Sequence, residues 1–265
     1  MDLKNYVPKK VVLDIHKFIN CINLKNKKEI DAVFVKQYEK GLDQIPVFII
    51  SYNRLSYLTE TIAALEKCGI SNIHIIDNNS SYPPLLEFYD NCKYDVIRLK
   101  ENGGHLVFWK NPIFDKYRND FYIVTDPDIV PIDECPKDFI ERMFNVLRRY
   151  PFVKKVGFSL KLDDIPSNSI FSNEAVNWEK KYYKTYDRKI DAYYAIIDTT
   201  FALYLPDCIS GNIPFLRAFR LGPPYQAKHL PWYKKQGEIT EEDVYYSNHK
   251  TNGWWNLAEG KVTPD

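Results

Sequence analysis

Asp126 and Asp128, separated by Pro127, are the residues whose types and spacing point most clearly to chemistry. They follow Phe121-Tyr122-Ile123-Val124, an apolar run with the composition of a buried strand. Carboxylate oxygens suit Mg²⁺ or Mn²⁺, so two of them at the end of a strand can hold a divalent cation. An isolated Asp-x-Asp is usually a turn in which an aspartate accepts a backbone N–H. Its position after an apolar strand favours a metal site here.

Short apolar runs and helical periodicity alternate before this pair. Val47 to Ile50, Ile73 to Ile76 and Asp95 to Leu99 predict strands, and an apolar stripe with Gly69 as its cap predicts a helix after the first. This order predicts an α/β fold with a mixed, mostly parallel sheet flanked by helices. Ligands bind such sheets beyond the carboxyl ends of the strands. The polar residues expected there are Ser51, Tyr52, Asn53, Arg54, Asp77, Asn102, Gly103, Gly104, Asp126 and Asp128.

Later segments predict further elements around the cleft. Pro136 opens a predicted helix, a strand from Val156 to Leu162 ends at two aspartates, and a loop-rich stretch follows. Ala195 to Tyr204 reads as a strand with a polar break at Asp198-Thr199-Thr200. Gly222-Pro223-Pro224 and the Trp254-Trp255 pair predict either a flap that closes on a ligand or a packed tail.

Four segments, in this order and spacing, resemble the GT-A glycosyltransferases of the family 2-like bacterial and viral type that build capsules or surface glycans. They are Val47-Phe48-Ile49-Ile50-Ser51-Tyr52-Asn53-Arg54, Ile75-Ile76-Asp77-Asn78-Asn79-Ser80, Asn102-Gly103-Gly104-His105 and Thr125-Asp126-Pro127-Asp128. The resemblance spans about residues 45 to 235 and implies a GT-A, Rossmann-like fold. It implies a hexosyl- or pentosyltransferase that uses a nucleotide-sugar donor, with UDP expected from family frequency, and Mn²⁺ or Mg²⁺.

The same resemblance assigns roles to individual residues. Asp128 would bind the metal, and Asp126 would bind the metal or the donor. A C-terminal histidine often completes the site, and His229 in the string Lys228-His229-Leu230-Pro231-Trp232-Tyr233 fits this best, with His249 as the rival. The loops after the first two strands and the Asn102-Gly103-Gly104 loop would bind the nucleotide. Arg54 would pair with the diphosphate or stack on the base.

The catalytic base is left open among three carboxylates. An inverting transferase needs a carboxylate to accept the proton of the acceptor hydroxyl, whereas a retaining one needs no base opposite the leaving group. Asp198 lies in a run that is otherwise apolar or hydroxyl-bearing and is hard to explain as solvated surface. Asp163 and Asp164 are alternatives that could instead form a turn. The expected Glu-Asp pair just before the histidine is missing, and inversion is expected from the family alone.

Other functions compete with this interpretation. A nucleotidyltransferase usually has a glycine-rich first loop, which Val47 to Arg54 lacks, and a Rossmann dehydrogenase would need G-x-G-x-x-G. A non-catalytic sugar-nucleotide or glycan-binding module would tolerate the loss of Asp126 or Asp128.

Composition and sequence pattern limit the partners, the cellular compartment and the domain organisation that can be expected. The 265 residues carry a net charge of +1 without a basic stripe, so no nucleic-acid partner is expected. The five dispersed cysteines favour a reducing compartment. No signal sequence or membrane-spanning run is visible, which predicts a cytoplasmic protein, peripheral at a membrane if its acceptor is a lipid-linked glycan. Residues 1–43 are predicted to be a helical N-terminal extension of two short helices, and residues 44–265 a GT-A domain with a nucleotide-binding half (44–130) and an acceptor-binding half (131–265).

Overall fold

The computed structural model describes residues 27–206, 218–250 and 255–262, together with Leu13. The helices in these residues are α1 (Lys27–Lys40), α2 (Leu55–Lys67), α3 (Pro83–Asn91), α4 (Val107–Lys110), α5 (Ile113–Tyr117), α6 (Phe139–Arg149), α7 (Ser172–Glu179) and α8 (Glu241–His249). The strands are β1 (Val47–Ser51), β2 (Ile73–Asp77), β3 (Asp95–Arg98), β4 (Tyr122–Thr125), β5 (Ile129–Pro131), β6 (Lys155–Leu160), β7 (Tyr186–Asp187), β8 (Ala192–Tyr194), β9 (Ala202–Tyr204), β10 (Ala218–His229), β11 (Trp255–Asn256) and β12 (Lys261–Val262).

One mixed sheet organises the described residues. Its strands follow the order β3-β2-β1-β4-β9-β6-β10-β8-β7, and β5 pairs with the end of β10. The pairings make β1, β2, β3, β4, β6, β7 and β10 point one way, while β5, β8 and β9 run against them. The predicted α/β fold with a mixed, mostly parallel sheet is therefore confirmed. Because β4 pairs with β9, the sheet runs without a break from the first half of the chain into the second.

Helices cover both faces of the sheet, as the predicted fold requires. On one face, α2, α3 and α6 contribute apolar side chains such as Leu58, Leu85 and Met143, which are fully buried against the strands. On the other face, Phe108 of α4 packs on Phe48 of β1, with ring centroids 4.7 Å apart. Burial of a large apolar side chain contributes about 1.5–3 kcal/mol, so these two layers supply the main driving force for folding.

Several sequence expectations need correction. The strand expected from Ala195 to Tyr204 is only β9, because residues 195–201 leave the sheet and cross its face. The stretch expected to be rich in loops contains α7. The second predicted helix of the N-terminal extension appears as α1, whereas the first, apart from Leu13, lies outside the described residues.

The predicted flap is also different in the structure. Gly222, Pro223 and Pro224 lie inside β10, where the pairing with β6 shifts register after Leu221. Trp255 packs against Phe171 with ring centroids 5.0 Å apart, so it agrees with the alternative of a packed tail. Trp254 lies outside the described residues. No helix in the described part of the chain combines the length and apolarity that a bilayer crossing requires.

Candidate functional site

The Asp126 turn is fixed from both sides at the carboxyl end of β4. The backbone N–H of Asp126 donates to Thr199 O at 3.1 Å, and Thr199 Oγ1 donates to Asp126 Oδ2 at 2.7 Å. On the opposite side, Thr61 of α2 donates its hydroxyl to Pro127 O at 2.7 Å. These three bonds hold Asp126 in one orientation, half-buried at the edge of the sheet.

Asp128 and His229 are brought together by the pairing of β5 with β10. Ile129, which opens β5, lies opposite His229, which closes β10, and Leu230 N donates to Asp128 O at 2.9 Å. Asp128 Oδ2 and His229 Nε2 are therefore 3.5 Å apart. Asp128 Oδ1 and His229 Nδ1 are both buried and have no hydrogen-bond partner among the described residues. Buried polar atoms in proteins are nearly always paired, so these two indicate a place for a ligand.

Burial and like charge shape the electrostatics of this site. Burial raises the pKa of Asp126 well above its ordinary value, and the negative charges of Asp128 and Asp198 raise it further. Burial also lowers the pKa of His229, although the charge of Asp128 opposes this effect. A neutral imidazole is the form that binds metals, and crowded carboxylates favour a cation nearby.

Further buried polar atoms are unsatisfied, and two of them belong to Tyr57 and Trp232, which interact with the Asp128–His229 pair. Tyr57 Oη, Thr200 Oγ1 and Trp232 Nε1 are buried without a hydrogen-bond partner in the described part of the chain. The Trp232 ring packs on the His229 ring at 4.7 Å. Burial raises the pKa of Tyr57, and Asp128 is among the charges that act on it. Neither Tyr57 nor the indole N–H of Trp232 stands out in the sequence as a candidate.

The predicted site is not a complete cage of protein ligands. No three His, Cys, Asp or Glu side chains within the described ranges stand close enough together to hold an ion. Asp126 is turned towards Thr199, whereas Asp128 is turned towards His229. A cation at this site would therefore have to take further ligands from water or from a bound substrate.

The polar loops after β1 and β2 contact each other, as the sequence predicts. Hydrogen bonds between their own residues join the two loops. Asn53 has a positive φ of 51° and is fully buried. Its Oδ1 accepts the backbone N–H of Ser81 at 2.7 Å and of Tyr82 at 2.9 Å. Asp77 Oδ1 accepts Ser80 N at 2.9 Å in the same way. These two side chains shape the loops, a role that the sequence analysis did not foresee for them.

The glycine loop is tied to the end of β2 by Asn78. Asn78 Oδ1 accepts Gly103 N at 2.8 Å, and Asn78 Nδ2 donates to Gly104 O at 3.2 Å. Gly104 has a φ of +74°, which other residues rarely adopt. Asn102 and Gly104 remain half-buried and Gly103 is exposed. Among the predicted nucleotide contacts after β1, Tyr52 is half-buried, whereas Ser51 is buried and accepts a bond from Tyr89 Oη.

Arg54 differs most from its predicted role. Its guanidinium is buried, donates to Asp243 Oδ1 at 2.5 Å and lies 4.0 Å from the centre of the Tyr246 ring. Burial alone would raise the pKa of Asp243, but hydrogen bonds from Thr240 and the charge of Arg54 hold that pKa below its ordinary value. Arg54 therefore joins the loop after β1 to α8, and its charge is already paired with a carboxylate.

The three predicted base candidates lie in different surroundings. Asp198 is exposed, which corrects the expectation from its sequence neighbours, because residues 195–201 are not a strand. Its charge nevertheless acts on Asp126 and His229. Asp163 is an exposed residue paired with Lys161 at 2.8 Å, and Asp164 accepts a bond from Tyr233 Oη at 2.6 Å.

The rival histidine, His249, closes α8, and its backbone O accepts a hydrogen bond from Tyr52 Oη at 2.7 Å. Its ring stacks on Tyr245 with centroids 4.0 Å apart, near the end of α8, and its Nδ1 lies 2.8 Å from Tyr245 O. Of the two histidines weighed from the sequence, His229 is the one that faces Asp128.

Comparison with known proteins identifies the family. Two solved structures of S. aureus TarS are similar at low identity. For TarS 1-349 the identity is 12% over 82% of this chain and 68% of that chain, with a TM-score of 0.39. For the second structure the identity is 13% over 82% of this chain and 41% of that chain, also with a TM-score of 0.39. No curated protein matches the sequence. The sequence model of glycosyl transferase family 2 matches residues 47–210, which cover β1 to β9 and the Asp126 turn. This chain therefore belongs to glycosyl transferase family 2.

Proposed function

We propose that this family 2 member is a metal-dependent transferase that moves a sugar from a UDP-sugar to a hydroxyl of a glycan or lipid-linked acceptor, with inversion. The observation that carries the proposal is the pair of buried, unpartnered atoms Asp128 Oδ1 and His229 Nδ1, beside a carboxylate whose pKa is raised. Such groups are costly to leave unsatisfied in a folded protein, which favours a ligand as their missing partner.

The side chains fit Mn²⁺ or Mg²⁺ bound together with a diphosphate. Asp126, Asp128 and His229 offer carboxylate oxygen and imidazole nitrogen, which suit these ions. Magnesium commonly uses one or two carboxylates and takes its other ligands from substrate phosphates and water, so a complete protein cage is not required. When bound, the ion would offset the negative charge on the departing nucleoside diphosphate.

The remaining roles follow from exposure and bonding. Tyr52, Asn102, Gly103 and Gly104 are accessible at the carboxyl edge and would contact the nucleotide. Asp77 and Asn53 would act mainly by shaping the loops that they bond.

Asp198 is the proposed base. It would accept the proton of the acceptor hydroxyl as that oxygen bonds to the sugar and the bond to the diphosphate breaks. Asp198 is exposed and close enough to Asp126 and His229 for its charge to affect both. Asp163 and Asp164 already have surface partners in Lys161 and Tyr233, so they are weaker alternatives.

Calorimetric titration of UDP, GDP and CMP, with Mn²⁺ and again with EDTA, tests the proposal. UDP should bind only with the metal, and Asp128→Ala should abolish that binding. Asp133→Ala is the matched control, because this carboxylate lies five residues further along, is exposed and pairs with Lys67 at the surface. It should bind like the wild type. Folded wild-type protein that binds none of the three nucleotides would refute the transferase site and favour a glycan-binding module.

A further inference from the structure

The segment 195–201, between β8 and β9, has no regular secondary structure, yet it presents residues to the candidate site. Asp198 is exposed, whereas Ile197 before it is fully buried and Thr199 after it bonds to Asp126. A buried carbonyl outside a helix or sheet needs another partner. The carbonyls of residues 196, 197 and 198 find theirs in two buried cationic side chains.

Lys155 supplies the first of these cations. It opens β6 and is completely buried, an unusual position for lysine. Its Nζ donates to Ile197 O at 2.6 Å and to Asp198 O at 3.3 Å. A third bond at 3.3 Å joins Nζ to the hydroxyl of Tyr204, whose ring stacks on that of Tyr122. The amine is thus oriented by the core and directed at two successive carbonyls.

Arg220 of β10 supplies the second cation. Its Nε donates to Ile196 O at 2.7 Å. Its guanidinium forms an ion pair with Glu179 of α7. This pair is buried, because each of the two side chains is only 3% accessible. The ring of Tyr182 lies 4.5 Å from the guanidinium carbon. These partners fix the guanidinium so that its Nε–H is directed at the segment.

The register of the sheet places both cations under the segment. Lys155 lies opposite Ala218, and Gly157 lies opposite Arg220, across the β6–β10 pairing. Residues two apart on a strand share a face, so Lys155 and Arg220 project from the same side of the sheet. The segment crosses that side.

We infer that Lys155 and Arg220 are positioning residues, which hold the backbone of residues 196–198 so that Asp198 faces the acceptor and Thr199 reaches Asp126. This inference rests on the proposed role of Asp198 as the base. Each cation acts through carbonyls on the segment, and small displacements of a reacting group are costly to a rate.

The test uses Lys155→Met, which keeps the length of the side chain but removes its donors, and Lys155→Arg, which keeps them. Arg220→Lys is a second variant that retains the charge facing Glu179 but lacks the Nε donor. Lys93→Met is the matched control, because this lysine is exposed and pairs with Glu66 at the surface. Hydrogen exchange of peptides from 195–201 is measured for all four and for the wild type.

We expect Lys155→Met to accelerate exchange in 195–201 by about tenfold, the equivalent of one lost charged hydrogen bond, and to leave β1 and β2 unchanged. Lys155→Arg should restore most of the protection, Arg220→Lys should lose it in part, and Lys93→Met should match the wild type. Unchanged exchange in Lys155→Met and Arg220→Lys would overturn the inference.

A kinetic measurement separates positioning from simple structural support. With Mn²⁺ and UDP-glucose, water serves as the acceptor and the release of UDP is followed. Lys155→Met should lower kcat by on the order of tenfold to a hundredfold with little change in KM. Faster exchange with an unchanged kcat would also overturn the inference. If the wild type neither binds UDP nor turns over the donor, the proposed function fails, and hydrogen exchange still decides whether the two cations hold the segment.

Discussion

Replacement of Asp243 by Asn should destabilise the protein by about 3 kcal/mol, because it breaks a buried ion pair from one side. The side chains of Arg54 and Asp243 are only 6% and 2% accessible, respectively. The variant would leave the Arg54 guanidinium in the interior with the rings of Tyr57 and Tyr246 but without a counter-charge.

The magnitude follows from what asparagine keeps and what it loses. Removal of one partner of a buried pair costs about 3–5 kcal/mol. Asparagine retains an oxygen that can still accept from Thr240 N, which bonds Asp243 Oδ2 at 2.9 Å, so the lower end of that range is expected. The bond from Lys234 at 3.2 Å loses its charge as well.

Urea unfolding followed by tryptophan fluorescence measures the difference. The control is Asp133→Asn, the same substitution in an exposed pair, where Lys67 and Asp133 are 72% and 89% accessible. The urea midpoint of that control should equal the midpoint of the wild type. An unchanged midpoint in Asp243→Asn would refute the argument that Arg54 depends on this carboxylate.

The same variant carries a prediction about pH. Because the pKa of Asp243 is lowered in the folded protein, its stabilising contribution is complete above the unfolded value of about 3.9 and is lost as pH falls through the lower folded value. The difference in free energy of unfolding between wild type and Asp243→Asn should therefore be constant from about pH 7 to 5 and shrink below about pH 4. If the difference in free energy of unfolding stays constant down to acid pH, the charge of Asp243 is not the cause of that difference.

Three further predictions test other contacts. Glu242 accepts the N–H and the hydroxyl of Ser56 at the start of α2, so Glu242→Ala should cost about 1 kcal/mol in urea unfolding, as loss of a helix cap does. A Cβ at Gly157 would lie 2.4 Å from Phe201 O, so Gly157→Ala should destabilise by about 1–3 kcal/mol through overpacking, also read from the urea midpoint. Burial raises the pKa of the Cys135 thiol to about 12, so iodoacetamide at pH 8 should spare it in the folded protein and alkylate it in urea, as peptide mass spectrometry would show.

The sequence predicts the first half of the sheet closely because its signals there are local. Strands β1 and β4 are continuous apolar runs, β2 is apolar apart from His74, and polar residues follow each of them directly. Their observed bounds differ from the prediction by at most one residue at either end. The segment 195–201 differs from the predicted strand for the opposite reason. Its apolar and hydroxyl-bearing residues have the composition of a strand, but Lys155 and Arg220, distant in sequence, take the carbonyls that a neighbouring strand would otherwise bond.

The candidate site likewise contains residues that local sequence predicts and residues whose contacts depend on distant parts of the chain. Asp126 and Asp128 could be placed from the strand that precedes them, and the meeting of Asp128 with His229 agrees with the expectation from the family resemblance. The buried ion pair of Arg54 with Asp243 could not be predicted, because the two residues are 189 positions apart in the sequence. The sequence around Asp243 indicates only the start of a helix. The roles of these residues in binding and catalysis remain predictions, to be decided by the experiments above.

The pairing of β5 with the last residues of β10 also affects the order in which parts of the protein fold during synthesis. The loops after β2 and β3 are joined by contacts within the first part of the chain, such as Asn78 with Gly103, and can form as soon as that part has left the ribosome. Asp128 must wait for His229 until β10 has been synthesised and has docked along β6. Contacts between distant parts of a chain close slowly, so the pair should be among the last features of the native state to appear during folding. A nascent chain that ends before β10 would carry both aspartates and still lack the imidazole that faces Asp128.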